Sequence, residues 1–218
     1  FLSSCQAGGA QLRAGVAPYI IGCVTFVNGA VAAPQHCNPT REEPMQPELI
    51  ADYACQTGEG PLWHPDERRV YWVDIPPGKL YRYDPATGGH EQVYEEPPLG
   101  GFTIQTDGSL LLFLGKGAVR TWKDGVVRTI LPEIATERDS RFNDVIADPR
   151  GLVFCGTMST ETHKGRLYRL DPDASIRVVL EGIGTSNGLG FTLDRTRLYY
   201  TDSPEYESAR TTSASVIM

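Results

Sequence analysis

From residue 48 onward, apolar and polar positions alternate in short runs, and each run stops at a cluster of Gly, Pro, Asp or Asn. The runs at 69–74, 80–83, 110–114, 118–122, 126–130, 152–156, 166–170 and 177–180 read as strands, because alternate side chains of a strand face opposite sides. The breaks carry turn chemistry: Asp84-Pro85-Ala86-Thr87-Gly88-Gly89, Asp107-Gly108, Asp124-Gly125 and Asp148-Pro149-Arg150-Gly151. No stretch carries an apolar stripe of period 3.6. The pattern predicts an all-β chain.

The strands group into self-similar units, four to a unit, at a period of about 40–45 residues, which is the signature of β-propeller blades. Blades are predicted near 59–99, 100–142, 143–186 and 187–206. Propellers close with roughly 4–8 blades, so a truncated portion of about three and a half blades is expected, with an open sheet edge after the last. Residues 1–44 show no sustained period and hold Cys5, Cys23 and Cys37; they are expected to be a non-homologous or disordered leader. Residues 45–207, opening at Met45, form the predicted propeller portion. Residues 208–218 show neither a strand partner nor turn logic and are expected to be an unrelated tail.

Composition narrows the function. The net charge is −7 without a basic run, which argues against nucleic acid and anionic membranes as partners. The most apolar stretch, 19–33, falls short of the ~20 residues of a membrane helix. It loosely resembles a signal peptide; a cytoplasmic location is expected, with secretion the alternative if the first 33 residues are a leader. No cysteines stand in a CxxC pair, and Cys55 and Cys155, inside strand patterns, read as buried free thiols.

Three oxygen-bearing side chains lead their units: Glu59 between Gly58 and Gly60, Asn143 in Arg141-Phe142-Asn143-Asp144, and Asn187 in Ser186-Asn187-Gly188. In the second unit the same place falls near Gly100-Gly101. If the units are repeats, these oxygens point at one axis and make a hard-oxygen site for Ca²⁺, Mg²⁺ or Mn²⁺, tolerable for Zn²⁺. Taken singly, Asn187 reads as a turn residue, and for Glu59 a charge that solvates its loop is the alternative. Arg141 and Asn143 share one side of an extended segment, where the guanidinium suits a hydroxyl or carboxylate; a salt bridge to Asp139 or Asp144 is the alternative. Glu161 lies in the 157–165 loop beside them. Asp74 and Asp202 read as structural turn-formers. His64 and His163 have no partner spacing, so no nucleophilic triad can be argued.

Gly58-Glu59-Gly60-Pro61, Arg141-Phe142-Asn143-Asp144, Gly156-Thr157-Met158, Ser186-Asn187-Gly188-Leu189 and Tyr199-Tyr200-Thr201-Asp202-Ser203 resemble the senescence-marker-protein/gluconolactonase/luciferin-regenerating-enzyme (regucalcin-like) family, over about residues 48–206. The resemblance implies a six-bladed propeller with one divalent cation on its axis, acting on a small-molecule sugar lactone by metal-assisted hydrolysis. It implies Glu59 and Asn187 as metal ligands, Asn143 at both metal and substrate, and Arg141 and Glu161 as substrate contacts. The family's third ligand and general base, an Asp in a Pro-Asp-Gly motif of a later blade, has no match in these 218 residues. Impaired activity is therefore expected of this chain. Two other readings stay open: a non-catalytic YWTD-like propeller that binds proteins, and a calcium-dependent propeller hydrolase of the paraoxonase or strictosidine-synthase type.

Overall fold

The structure, a computed structural model, describes residues 47–203 and, as backbone, three short strands outside them. The chain divides into two compact units, Phe1–Pro47 and Glu48–Met218. In the first, β1 (Phe26–Val27) pairs antiparallel with β2 (Ala30–Val31). The expected leader and its three cysteines otherwise lie outside the described residues.

The second unit is a succession of antiparallel sheets, each built from strands consecutive in the chain. The first holds β3 (Gly58–His64), β4 (Arg69–Asp74), β5 (Lys79–Tyr83) and β6 (His90–Glu95). The second holds β7 (Leu99–Ile104), β8 (Leu110–Leu114), β9 (Val119–Lys123) and β10 (Val126–Leu131). The third holds β11 (Phe142–Ala147), β12 (Val153–Thr157), β13 (Gly165–Leu170) and β14 (Ile176–Ile183). The fourth holds β15 (Thr185–Phe191), β16 (Arg197–Ser203) and β17 (Thr212–Ile217). Among the described residues the only helical turn is a 3-10 turn, Ala135–Glu137, between the second and third sheets. The leading strands lie side by side, β7 between β3 and β11, and β11 next to β15. This is the stacking of propeller blades.

Sequence alternation accounts for the packing. In β8 all five residues are buried, because the sheet is covered on both faces. Leu110, Leu112 and Leu114 face the first sheet, meeting Tyr71, Val73 and Leu80. Leu111 and Phe113 face the third, meeting Phe142, Val153 and Cys155. The same switch occurs in β12 and β13: Cys155 and Tyr168 face back, while Phe154 and Leu167 face forward to Leu198 and Tyr200. Each such side chain, once buried, contributes about 1.5–3 kcal/mol. The cores therefore sit between blades, and each sheet holds its neighbour. The outermost strands are exposed along most of their length. Cys155 is buried and Cys55 half-buried, both free thiols.

One expectation needs correction. The sequence pattern gives residues 208–218 no strand partner, yet the backbone of β17 pairs with β16 in continuous register, from Asp202↔Thr212 to Arg197↔Ile217. An edge strand such as β16 presents unpaired N–H and C=O groups, and these take up any extended segment within reach. The remainder of 208–218 lies outside the described residues.

Candidate functional site

Each leading strand is entered in the same way, and that shared geometry builds the site. Asp74, at the end of β4, accepts the backbone N–H groups of Gln56 (3.2 Å) and Thr57 (2.9 Å). Asp202, in β16, accepts those of Gly184 (3.0 Å) and Thr185 (3.1 Å). Both carboxylates are structural and aim the strand that follows. Alignment through these contacts matches Thr57-Gly58-Glu59-Gly60 with Thr185-Ser186-Asn187-Gly188. The N–H groups of Ile75, Gly115 and Met158 donate to the carbonyls of Thr57, Pro98 and Arg141, which extends the match to the other sheets. Glu59, Gly100, Asn143 and Asn187 are then one position on four strands.

Every one of the four strands also breaks register at that position: between Glu59 and Leu62, Leu99 and Gly101, Phe142 and Val145, and Asn187 and Leu189. A bulge turns its side chain away from the pleat. In β3 and β15 it is made by left-handed glycines, Gly60 (φ +61°) and Gly188 (φ +67°), a conformation that costs other residues energy.

The three oxygen donors differ in their surroundings. Asn143 is buried. Its Oδ1 accepts from the Arg141 guanidinium (2.8 Å) and its Nδ2 donates to the Ser186 carbonyl (2.8 Å). Glu59 and Asn187 are exposed. Arg141 also donates to the carbonyl of Phe142 (3.0 Å). Burial draws its pKa below the usual arginine value, and the Glu59 carboxylate opposes that shift, which places Glu59 within electrostatic reach of Arg141. The contact to Ser186, next to Asn187, ties the third and fourth positions together. Asp144 secures the same seam, taking N–H groups from Val145, Gly188 and Leu189; burial nevertheless raises its pKa.

Beside Arg141 opens a cleft of about 430 Å³, lined among others by Pro98, Lys116, Asp139, Ser140 and Thr160. The 3-10 turn that leads into it is anchored by Glu137, a fully buried carboxylate. Glu137 Oε1 accepts from Arg166 (2.7 Å) and the Tyr168 hydroxyl (2.6 Å). Sequence spacing gave no sign of this anchor, since Glu137 stands among charged residues that read as surface.

Among the predicted residues, then, Arg141 and Asn143 are in direct contact, Asn187 is joined to them through Ser186, and Glu59 reaches Arg141 electrostatically. Glu161 is exposed in the 157–165 loop, and no hydrogen bond among the described residues joins it to the other four. No group of three or more His, Cys, Asp or Glu side chains stands ready for a metal among the described residues. A cation here would depend on carboxamide oxygens, and the donors fit that requirement. Glu59 and Asn187 project at matched positions, and the Asn143 oxygen keeps a second lone pair beyond the one used by Arg141.

The stacked sheets and the bulged leading strands define an all-β propeller with a polar site at one end of those strands. The family model described as SMP-30/Gluconolactonase/LRE-like region matches residues 57–213, and the chain belongs to that family. Pentonolactonase XacC of Haloferax volcanii is 53% identical over 156 residues, covering 71% of this chain and 52% of the relative. A luciferin-regenerating enzyme is similar in structure, with a TM-score of 0.61 at 26% identity, covering 68% of this chain and 53% of that one. Regucalcin from Agrobacterium tumefaciens, described as a calcium-binding protein, shares the fold at a TM-score of 0.62 and 18% identity, covering 75% of this chain and 59% of that one. The chain spans about half the length of the curated relatives it matches. Among the described residues no helix is long and apolar enough to cross a membrane.

Proposed function

We propose that this chain carries the cation- and sugar-binding half of a lactonase, a hydrolase of cyclic sugar esters. The observation that carries the reading is the matched register: Glu59, Asn143 and Asn187 stand at one bulged position on neighbouring strands, with Arg141 on Asn143. The similarity to a pentonolactonase supports the substrate class, and the calcium-binding regucalcin supports a divalent cation. Glu59, Asn187 and the second lone pair of Asn143 would hold the cation; the donors suit calcium, zinc, magnesium or manganese alike. A divalent cation held there would supply Lewis-acid polarisation of an ester carbonyl.

The chain's own residues bind and orient. Arg141, fixed by Asn143 and the Phe142 carbonyl, directs its remaining N–H groups to hydroxyl oxygens of the sugar. Glu161 accepts from a sugar hydroxyl. A carboxylate must also activate water, and Asp202 is unsuited to this because it is spent on Gly184 and Thr185. The resemblance assigns that role to an Asp in a Pro-Asp-Gly motif, which this sequence does not contain.

Two measurements test the reading. Calorimetric titration with CaCl₂ and ZnCl₂ is expected to show one site that Glu59→Gln weakens at least about tenfold, since it removes the only charged donor. Equal affinity in both proteins rejects the donor set. Ring opening of pentono- and gluconolactones is then followed by acid release, for these 218 residues and for a version extended by the part of the pentonolactonase relative that they do not span. The completed version is expected to be about 10²-fold faster or more. Equal rates would mean that the later carboxylate is not needed.

A further inference from the structure

One carboxylate gathers the middle of the 157–165 loop. Asp139 Oδ2 accepts the hydroxyls of Thr162 (2.6 Å) and Thr160 (3.1 Å), and its Oδ1 lies 2.9 Å from His163 Nε2. The loop also closes on itself. Thr160 N–H donates to the His163 carbonyl (2.8 Å), and the Thr160 hydroxyl accepts N–H groups from Thr162 (3.2 Å) and His163 (3.3 Å). Glu161 is the residue between the two tied threonines. Thr160 and Asp139 line the cleft beside Arg141.

The two ring nitrogens of His163 identify its charge state. Nδ1 is 2.9 Å from the Lys164 carbonyl, which can only accept. Nε2 meets the Asp139 carboxylate, which when ionised can only accept as well. A neutral imidazole has a single N–H and can make only one of these bonds. Both form together only on the imidazolium.

We propose that Asp139 and protonated His163 form a clamp that positions the 157–165 loop, and with it Glu161, at the rim of the cleft, and that the clamp loosens when His163 loses its proton. What the loop serves rests on the lactonase reading; the clamp itself does not. The charged groups that act on the ring are Asp139 and Glu137, both from the segment before β11, and Lys164 meets it through its backbone carbonyl. Glu137 is already taken up by Arg166 and Tyr168, which leaves Asp139 as the acid bonded to the ring. The hydrogen bond to the Lys164 carbonyl, and that to Asp139, hold the His163 pKa above its usual 6.5. Thr162 and His163 hold that of Asp139 at about 2. The sign follows. The His163 contribution is complete below 6.5 and is lost as the pH rises through the raised value. The Asp139 contribution is present above 3.8 and is lost only as the pH falls toward about 2.

Amide hydrogen exchange at Thr160, Thr162 and His163, as protection factors from about pH 6 to about pH 9, tests this directly. In the chain as it stands, protection is expected to fall by about fivefold to tenfold across that range, the worth of one ordinary hydrogen bond, since Asp139 is exposed and the charge is screened. His163→Gln should give the low value at every pH, and Asp139→Asn a lower one still. Asp173→Asn, which changes an equally exposed turn carboxylate on Ser175, should leave the loop unchanged. Unaltered protection in the β8 and β12 amides shows that each variant is folded. If wild-type protection is flat with pH, or His163→Gln matches wild type, the clamp is overturned. In the completed lactonase, Asp139→Asn is expected to raise KM severalfold with a smaller change in kcat. If exchange responds as described but no lactone is opened, the clamp stands and the functional reading falls.

Discussion

The strands β3 and β15 reach the site in one way and β11 in another. In the first two, a left-handed glycine makes the bulge and the oxygen-bearing side chain before it, Glu59 or Asn187, is left exposed. In β11 the residue after Asn143 is Asp144 rather than glycine, and two side chains hold the bulge: Asn143 accepts from the Arg141 guanidinium and donates to the Ser186 carbonyl, and Asp144 accepts three backbone amides. The same register position is therefore a free donor in two blades and a fastened one in the third. Free donors can adjust to a ligand, whereas a fastened one sets where the ligand must sit. The arrangement puts rigidity at the seam between the third and fourth blades and leaves adaptability on either side.

The fourth member of the set, Gly100, explains why one blade offers no donor. A Cβ there would stand 1.9 Å from the Phe142 carbonyl oxygen, because β7 and β11 approach closely at this point. Gly100→Ala is the largest effect expected. It forces the second and third blades apart beneath Asn143 and costs about 3 kcal/mol, at the upper end for overpacking. Urea unfolding measures it; a loss under about 1 kcal/mol would show that the seam yields easily.

Next comes the contrast between the asparagines. Asn143→Ala strips the Ser186 carbonyl and Arg141 of buried partners and is expected to cost about 2 kcal/mol. Asn187→Ala, at an exposed position, should stay within about 0.5 kcal/mol. Comparable losses from the two substitutions would erase the distinction between fastened and free donors.

Much of the fold was legible because turn residues and alternation are local signals. Runs such as Leu110–Leu114, unbroken apolar sequence between Asp107-Gly108 and Gly115-Lys116-Gly117, fix strands and their order as plainly as alternating ones do. The matched place of Glu59, Asn143 and Asn187 was legible too, from their position before each leading strand. What stayed hidden depends on contacts between segments distant in sequence. The burial of Asn143 depends on Ser186, 43 residues away. His163 showed no partner spacing because its partner, Asp139, lies 24 residues upstream across a strand pair. The short spacing of Arg141 from Asp139 and Asp144 suits a salt bridge, but Arg141 bonds to Asn143 and the Phe142 carbonyl, while those two acids are taken by the loop and the fourth blade. The strand Thr212–Ile217 escaped notice because its pairing answers the open edge of β16 rather than any turn signal of its own.

The finest division lies between the two glycine-made bulges. An alanine at Gly60 meets no atom within 4 Å, so Gly60→Ala carries only the left-handed backbone cost, about 1 kcal/mol. At Gly188 the added methyl meets Thr201 Oγ1 at 3.2 Å and Cβ at 3.4 Å, a crowding that adds a few tenths of a kcal/mol unless Thr201 turns away. Asparagine tolerates the left-handed region better than alanine, so Gly60→Asn is expected to recover about half of the loss at the open position. At Gly188 the longer side chain must also clear Thr201, and the recovery should be smaller. Thermal unfolding of the four variants resolves these differences as Tm shifts of a few degrees. Equal shifts for Gly60→Ala and Gly188→Ala would mean that Thr201 moves freely, and that the two bulges, one behind a carboxylate and one behind a carboxamide, are mechanically alike.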